Sequence, residues 1–146
     1  MGRIIAIANQ KGGVGKTTTA INLSACLAEA EKHVLTIDMD PQGNTTSGLG
    51  VDKNNCENTI YQLLLGECTF EEALVHTEFD YLDLIPSNVN LAGAEIELLN
   101  VENREYVLRN EIEKVKDNYD FIIIDCPPSL NMLTVNAMTT ASTVLV

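Results

Sequence analysis

Short apolar runs alternate along the chain with longer segments in which apolar residues recur at helical spacing. Runs rich in isoleucine, valine and leucine are typical of parallel strands that are covered on both faces. Such runs predict strands at residues 4–8, 33–38, 81–85, 121–125 and 143–146. The helical spacing predicts helices at residues 17–30, 60–65, 70–75, 91–99, 102–117 and 133–140. A polar stretch from the second strand through Asn58 predicts a long loop.

Strands that alternate with helices indicate a mainly parallel sheet with helices on both faces. We therefore predict an α/β fold, a three-layer sandwich that forms a single domain over residues 1–146. The last predicted strand ends at Val146, with no turn or covering helix after it. Because a buried parallel strand needs cover on both faces, we expect a longer fold that is truncated at the C-terminus. An edge strand at the end of the chain is the alternative.

Composition narrows the class of protein. The chain has 146 residues, of which 45% are hydrophobic, and a formal net charge of −12. This balance is typical of a soluble globular domain. The basic residues are spread thinly, so no DNA-binding stripe is predicted. No apolar run approaches the roughly 18 residues of a membrane span and no signal-peptide pattern begins the chain, so we expect a cytoplasmic protein without membrane contact.

The four cysteines show no C-x-x-C spacing, and both histidines stand alone. Neither a zinc site nor a disulfide framework is therefore supported. We expect reduced and mostly buried thiols at Cys26, Cys56, Cys68 and Cys126.

A glycine-rich segment with the sequence KGGVGKTT connects the first predicted strand to the first predicted helix. Glycines at such a turn let backbone N–H groups approach a polyphosphate, and the helix N-terminus adds partial positive charge. Lys16 can then reach the β and γ phosphates, and Thr17 can offer its hydroxyl to Mg²⁺. The segment predicts a nucleoside triphosphate bound with Mg²⁺. The predicted binding residues are Lys11, Gly12, Gly13, Val14, Gly15, Lys16, Thr17 and Thr18.

Three aspartates follow predicted strands at the edge of the sheet where α/β proteins bind ligands. Asp125 ends a buried strand at the Walker B position, where it can hold Mg²⁺ through water. Asp38 and Asp40 follow the second strand in the sequence DMDPQGN, whose proline and glycine set an irregular backbone. Thr17, Asp38 and Asp125 are the predicted metal residues. The alternative, in which Asp38 and Asp40 only form Asx turns, stays open.

The common P-loop pattern has glycine at position 10, where this chain has Gln10 followed by Lys11. This form resembles the deviant Walker A box of the ParA/MinD ATPases, and the likeness continues over residues 38–50, 85–95 and 124–130. The DPQGN and DCPPS segments resemble the ParA/Soj branch more than the MinD-type cell-division ATPases. Nitrogenase-type iron proteins share the lysine pair, but their cluster cysteines have sequence settings that are absent here.

The resemblance implies a weak Mg²⁺-dependent ATPase that dimerises on ATP binding and serves chromosome or plasmid partitioning. It implies three catalytic residues. Lys11 contacts the nucleotide of the partner subunit, Lys16 neutralises phosphate charge, and Asp40 positions or activates the attacking water.

The resemblance also implies a ParB-like stimulator, and non-specific DNA bound through a region absent from this chain, with a place at the nucleoid. Residues 93–100 and Arg104 are secondary candidates for subunit or partner contacts. A nucleotide-binding or interaction module without turnover, a MinD-like ATPase, and a reductase or metal-cluster carrier remain alternatives.

Overall fold

The computed structural model describes residues 3–8 and 14–145, with side chains for residues 3–8 and 17–145. Six strands form one sheet in the order β3-β4-β2-β5-β1-β6. All neighbouring pairs are parallel except β3, which pairs antiparallel with β4. The strands are β1 Arg3–Ile7, β2 Val34–Asp38, β3 Val75–His76, β4 Leu82–Ile85, β5 Phe121–Asp125 and β6 Thr143–Leu145. The predicted α/β class and parallel sheet are confirmed.

Seven helices connect these strands in the part of the chain that the structure describes. They are α1 Val14–Glu29, α2 Asn44–Gly48, α3 Ile60–Leu64, α4 Phe70–Ala73, α5 Ala94–Glu97, α6 Val107–Glu113 and α7 Met132–Thr140. Short 3₁₀ turns lie at Lys53–Asn55, Val89–Gly93, Leu98–Asn100, Arg104–Tyr106 and Lys116–Asn118. Within the described ranges no helix has both the length and the apolar character needed to cross a membrane.

The three layers follow from the alternation of side chains along the strands. Ile122 and Ile124 of β5 belong to one buried cluster, whereas Ile123 between them belongs to a second cluster on the other face. The second cluster includes Ala20 and Ala28 of α1, so α1 covers that face. The first cluster includes buried residues of α3, α4, α5, α6 and α7. The central strands β1, β2, β4 and β5 are therefore covered on both sides, as their continuous apolar sequences predict, whereas the edge strand β6 is exposed.

Two predicted helices are shorter in the structure. The prediction of one helix over residues 102–117 was wrong, since α6 begins only at Val107. The side-chain oxygen of Asn136 in α7 accepts a hydrogen bond from the Leu108 N–H at 3.1 Å. This contact caps the start of α6 from a distant part of the chain. The predicted helix over residues 91–99 is divided between α5 and two 3₁₀ turns.

Two short elements were missed. Residues 39–58 were predicted as loop, but they contain the five-residue helix α2. Val75 was placed in a helix, whereas it begins β3 and pairs with Leu84. The backbone of Leu74 turns to an extended conformation and ends α4 there. Elements of two to five residues are too short to show a hydrophobic period.

We expect Ile123→Ala to lower the free energy of unfolding by about 2–5 kcal/mol, because it leaves a cavity between β5 and α1. Ile96→Ala is the matched control, since Ile96 is 72% exposed and its loss should change stability by about 0.5 kcal/mol or less. Urea denaturation of both variants measures the difference. Equal effects would contradict the packing described for β5.

Candidate functional site

The carboxyl ends of β1, β2 and β5 lie side by side at one edge of the sheet. In the parallel register Ile7 of β1 and Asp38 of β2 are both partners of Asp125 in β5. The chain leaves β1 at this edge and enters α1 at Val14. The N-terminus of a sixteen-residue helix therefore begins beside the two aspartates, and helix N-termini bind anions.

Most of the predicted phosphate segment lies outside the described residues. Lys11, Gly12 and Gly13 fall there, and so do the side chains of Val14 and Lys16, whereas the backbone of Gly15 is described within α1. Thr17 is half-buried and Thr18 is exposed, both in the first turns of α1. The nucleotide-binding and catalytic roles of these residues stay predictions.

Asp38 and Asp125 are both fully buried. Because neighbouring strands are about 4.8 Å apart, partners in the register bring the two carboxylates to the same level. Asp38 Oδ1 accepts a hydrogen bond from the Asp40 N–H at 3.1 Å. Asp38 Oδ2 accepts from the Thr46 N–H at 2.9 Å and from the Thr46 hydroxyl at 2.7 Å. Asp125 Oδ2 accepts from the Thr45 hydroxyl at 2.5 Å.

Burial raises the pKa of the Asp38 carboxyl to about 7, and the negative charge of Asp125 adds to the rise. The hydrogen bonds from Thr46 and Asp40 act in the opposite direction, because they stabilise the ionised form. A positive charge placed beside the pair would therefore be strongly favoured.

The donor set fits Mg²⁺. This hard cation takes one or two carboxylates and fills its remaining positions with phosphate oxygens and water. Among the described residues no group of three or more His, Cys, Asp or Glu side chains could hold a metal by itself. Two carboxylates at neighbouring strand ends agree with a metal shared between protein and nucleotide. The metal roles of Thr17, Asp38 and Asp125 remain predictions.

Asp40 lies in the loop between β2 and α2 and is 7% exposed. Its Oδ1 accepts a hydrogen bond from the Gln42 N–H at 3.0 Å, and its backbone oxygen accepts from the Gly43 N–H at 2.9 Å. The first of these bonds spans two residues, as does the bond from the Asp40 N–H to Asp38. Both Asp38 and Asp40 therefore form Asx turns, which were the alternative role predicted for these residues from the sequence. They order the loop that carries both acids.

Three buried hydroxyl residues at this edge were missed from the sequence: Thr45, Thr46 and Ser87. Thr45 and Thr46 lie in the first turn of α2, and their hydroxyls donate to the two aspartates. Ser87 follows β4, and its hydroxyl donates to the backbone oxygen of Asp40 at 2.7 Å. The available signal was the Thr-Thr pair that directly follows the DPQGN segment. Polar loop residues are usually solvated, so composition alone did not single them out.

The segment after β5 leads directly into α7. Asn131 caps this helix, because its side-chain oxygen accepts from the Thr134 N–H at 3.1 Å. The Thr134 hydroxyl donates to the Ser129 backbone oxygen at 2.5 Å. The Pro-Pro-Ser turn is thus tied to the helix that follows it.

The prediction that the cysteines are mostly buried was wrong. None of the four described cysteines forms a disulfide, but only Cys126 is buried. Cys26 is exposed, and Cys56 and Cys68 are half-buried. Cys26 lies on the outer, solvent-exposed side of α1 and does not contribute to the core.

Comparisons with known proteins identify relatives of the whole chain. A sequence model of a family described as AAA domain matches residues 2–146. The chromosome partitioning protein ParA of Myxococcus xanthus is 55% identical over the whole chain, and the sporulation initiation inhibitor protein Soj of Bacillus subtilis is 53% identical. The chain spans 52% and 58% of these two proteins, about half the length of the curated relatives it matches.

Two solved structures share the fold. A Mycobacterium smegmatis protein described as cobyrinic acid a,c-diamide synthase, with bound ADP and magnesium, has a TM-score of 0.95 and 45% identity. The match covers 99% of this chain and 58% of the Mycobacterium chain. A plasmid partition protein of Borrelia burgdorferi bound to AMPPNP has a TM-score of 0.86 and 32% identity. The match covers 99% of this chain and 60% of the Borrelia chain.

The fold, the acids at the carboxyl edge and the sequence matches lead to one classification. The matching family model covers nearly the whole chain. The identity to ParA and Soj proteins exceeds 50% over the same residues. The chain therefore belongs to the ParA/Soj family of P-loop ATPases.

Proposed function

We propose that this chain binds ATP with Mg²⁺, hydrolyses it, and acts as a dimerisation switch in the partitioning of chromosomes or plasmids. The observation that carries the proposal is the pair of buried aspartates, Asp38 and Asp125, beside the start of α1. Buried acids at this edge are unfavourable unless a cation joins them. A nucleotide that arrives with Mg²⁺ supplies that cation.

Structural relatives support the choice of ligand. The Mycobacterium protein was solved with ADP and magnesium and also with an ATP analogue and magnesium. The Borrelia protein carries AMPPNP. These proteins bear different names but share bound adenine nucleotides. ATP is therefore the proposed nucleotide, and the partitioning role comes from the ParA and Soj relatives.

The residues of the site have separate proposed tasks. The amides of residues 12–15 and the N-terminus of α1 bind phosphate oxygens, and Lys16 neutralises their charge. Thr17, Asp38 and Asp125 would hold Mg²⁺, directly or through water. When bound, the metal withdraws charge from the β and γ oxygens. Lys11 completes the site of a second subunit.

Asp40 is the proposed hydrolytic residue. Its backbone is fixed on both sides, by Asp38 at the N–H and by Ser87 and Gly43 at the carbonyl. A carboxylate held this way can orient a water molecule and accept its hydrogen bond as the oxygen attacks phosphorus. Positioning of this kind supplies most of the catalysis in phosphoryl transfer.

The proposed partners follow from the relatives. ATP would hold two subunits face to face, and a ParB-like centromere-binding protein would accelerate hydrolysis. Non-specific DNA would bind through a region absent from this chain, which spans about half of its relatives. The proposed compartment is the cytoplasm, at the nucleoid.

We expect Asp40→Asn to reduce ATP turnover by about 100-fold or more, because the attacking water loses its acceptor. The affinity for ATP should stay within about threefold, since Asp40 neutralises no phosphate charge. Asp117→Asn, at an exposed residue of a distant turn, is the matched control. Phosphate release, binding of a fluorescent ATP analogue and light scattering report turnover, affinity and dimerisation in the same samples.

A wild-type chain that binds ATP without hydrolysing it would contradict the enzyme proposal and favour a nucleotide-binding module. A chain that hydrolyses ATP while it remains monomeric would contradict the dimerisation switch instead.

Without nucleotide and Mg²⁺, the unfolding free energy of the wild type should fall as the pH rises from about 4 to about 7. The pKa of Asp38 is raised from 3.8 to about 7, so over this interval the folded chain binds the proton that the unfolded chain has released. Asp38→Asn should make the decline shallower. Urea denaturation across this range measures the slope, and Asp117→Asn should retain it. Identical slopes for Asp38→Asn and the wild type would contradict the raised pKa.

A further inference from the structure

A closed ring of hydrogen bonds joins Asp38, Thr46, Ser87 and Asp40. The Thr46 hydroxyl donates to Asp38 Oδ2 at 2.7 Å and accepts from the Ser87 N–H at 3.0 Å. The Ser87 hydroxyl donates to the Asp40 backbone oxygen at 2.7 Å. The Asp40 N–H donates to Asp38 Oδ1 at 3.1 Å and closes the ring.

With Asp38 ionised, the ring has only one consistent arrangement of protons. A hydroxyl carries a single proton, and the Thr46 proton is used on Asp38, so its oxygen accepts from Ser87. The Ser87 proton is used on Asp40, whose carbonyl can only accept. All four residues are buried, with Asp38, Thr46 and Ser87 at 0% exposure and Asp40 at 7%. The hydroxyls and backbone groups of the ring are therefore largely shielded from bulk water.

The ring draws on separate parts of the chain. Asp38 ends β2, Thr46 lies in α2, and Ser87 follows β4. The neighbouring turn is closely packed as well, because Gly43 has φ of +65° and a Cβ there would lie 2.9 Å from the Ser87 backbone oxygen. The Asp40 loop is thus held against a rigid strand end rather than by its own turns alone.

We propose that Thr46 and Ser87 are positioning residues for Asp40, and that their hydroxyls fix the loop before nucleotide arrives. This inference rests on the proposed function, in which Asp40 orients the attacking water. Neither hydroxyl touches the phosphate in this proposal. Ser87 acts through the Asp40 backbone, and Thr46 acts through Asp38 and Ser87.

Amide hydrogen exchange in the nucleotide-free chain tests the holding of the loop. We expect Ser87→Ala to raise the exchange rates at Asp40 and Gly43 about fivefold to tenfold, the effect of one lost hydrogen bond. Amides in α1 and β5 should exchange as in the wild type. Thr46→Val should produce the same local change, and Thr46→Ser, which keeps the hydroxyl, should restore protection.

Ser24→Ala is the matched control for the loss of a buried hydroxyl. Ser24 accepts a hydrogen bond from the Thr36 hydroxyl at 2.7 Å, between α1 and β2, and both residues are fully buried. This variant should leave exchange at Asp40 and Gly43 unchanged. If Ser87→Ala raises exchange throughout the chain, α1 and β5 included, or leaves exchange at Asp40 unchanged, the positioning role is overturned.

Kinetics provide the second measurement on the same variants. Ser87→Ala should lower kcat about tenfold to a hundredfold through a misplaced Asp40, with KM within about twofold of the wild type. If Ser87→Ala raises amide exchange at Asp40 and Gly43 but leaves kcat unchanged, the proposal is also overturned. If the wild type shows no turnover but Ser87→Ala still loosens residues 40–43 alone, the hydrolytic function fails while the positioning of Asp40 stands.

Discussion

Asp38 and Asp125 stand at the same level of two neighbouring parallel strands, and neither carboxylate reaches solvent. Two buried negative charges in this arrangement oppose folding, as the raised pKa of Asp38 shows. The surrounding structure provides hydrogen-bond donors to both carboxylates. The first turn of α2 carries two threonines that donate to the pair, and the loop before it turns back so that the Asp40 N–H can donate as well.

The pair of aspartates lies where the irregular segment after β2 leaves the carboxyl edge of the sheet. The strands and α1 supply the apolar packing, and Ile123 with Ala20 and Ala28 holds the helix against the sheet. The loop from Asp38 to Gly48 contributes mostly polar contacts by comparison. A site built in this way has a rigid base and a loop whose shape depends on the charge beside it.

Sequence reasoning predicted the strands and helices whose apolar residues form continuous runs or recur at a regular spacing. The isoleucines of β5 and the run before Asp38 identified buried strands, and the aspartates that end them identified the edge of the site. The start of α6 could not be predicted, because its cap is Asn136 from another helix. The same limit applies to Thr45, Thr46 and Ser87, since their roles follow from contacts across 41 to 80 residues of sequence.

The ring around Asp40 is strong enough to order the loop and weak enough to be altered by a ligand. Each hydrogen bond contributes about 1 kcal/mol net, so the ring as a whole holds the loop by a few kcal/mol. A nucleotide bound with micromolar affinity gains about 8 kcal/mol. Only a fraction of that binding energy is needed to change the loop, and a cation beside Asp38 acts directly on the residue that accepts two of the ring's four hydrogen bonds. The nucleotide state can therefore control the loop without disturbing the apolar layers beneath it.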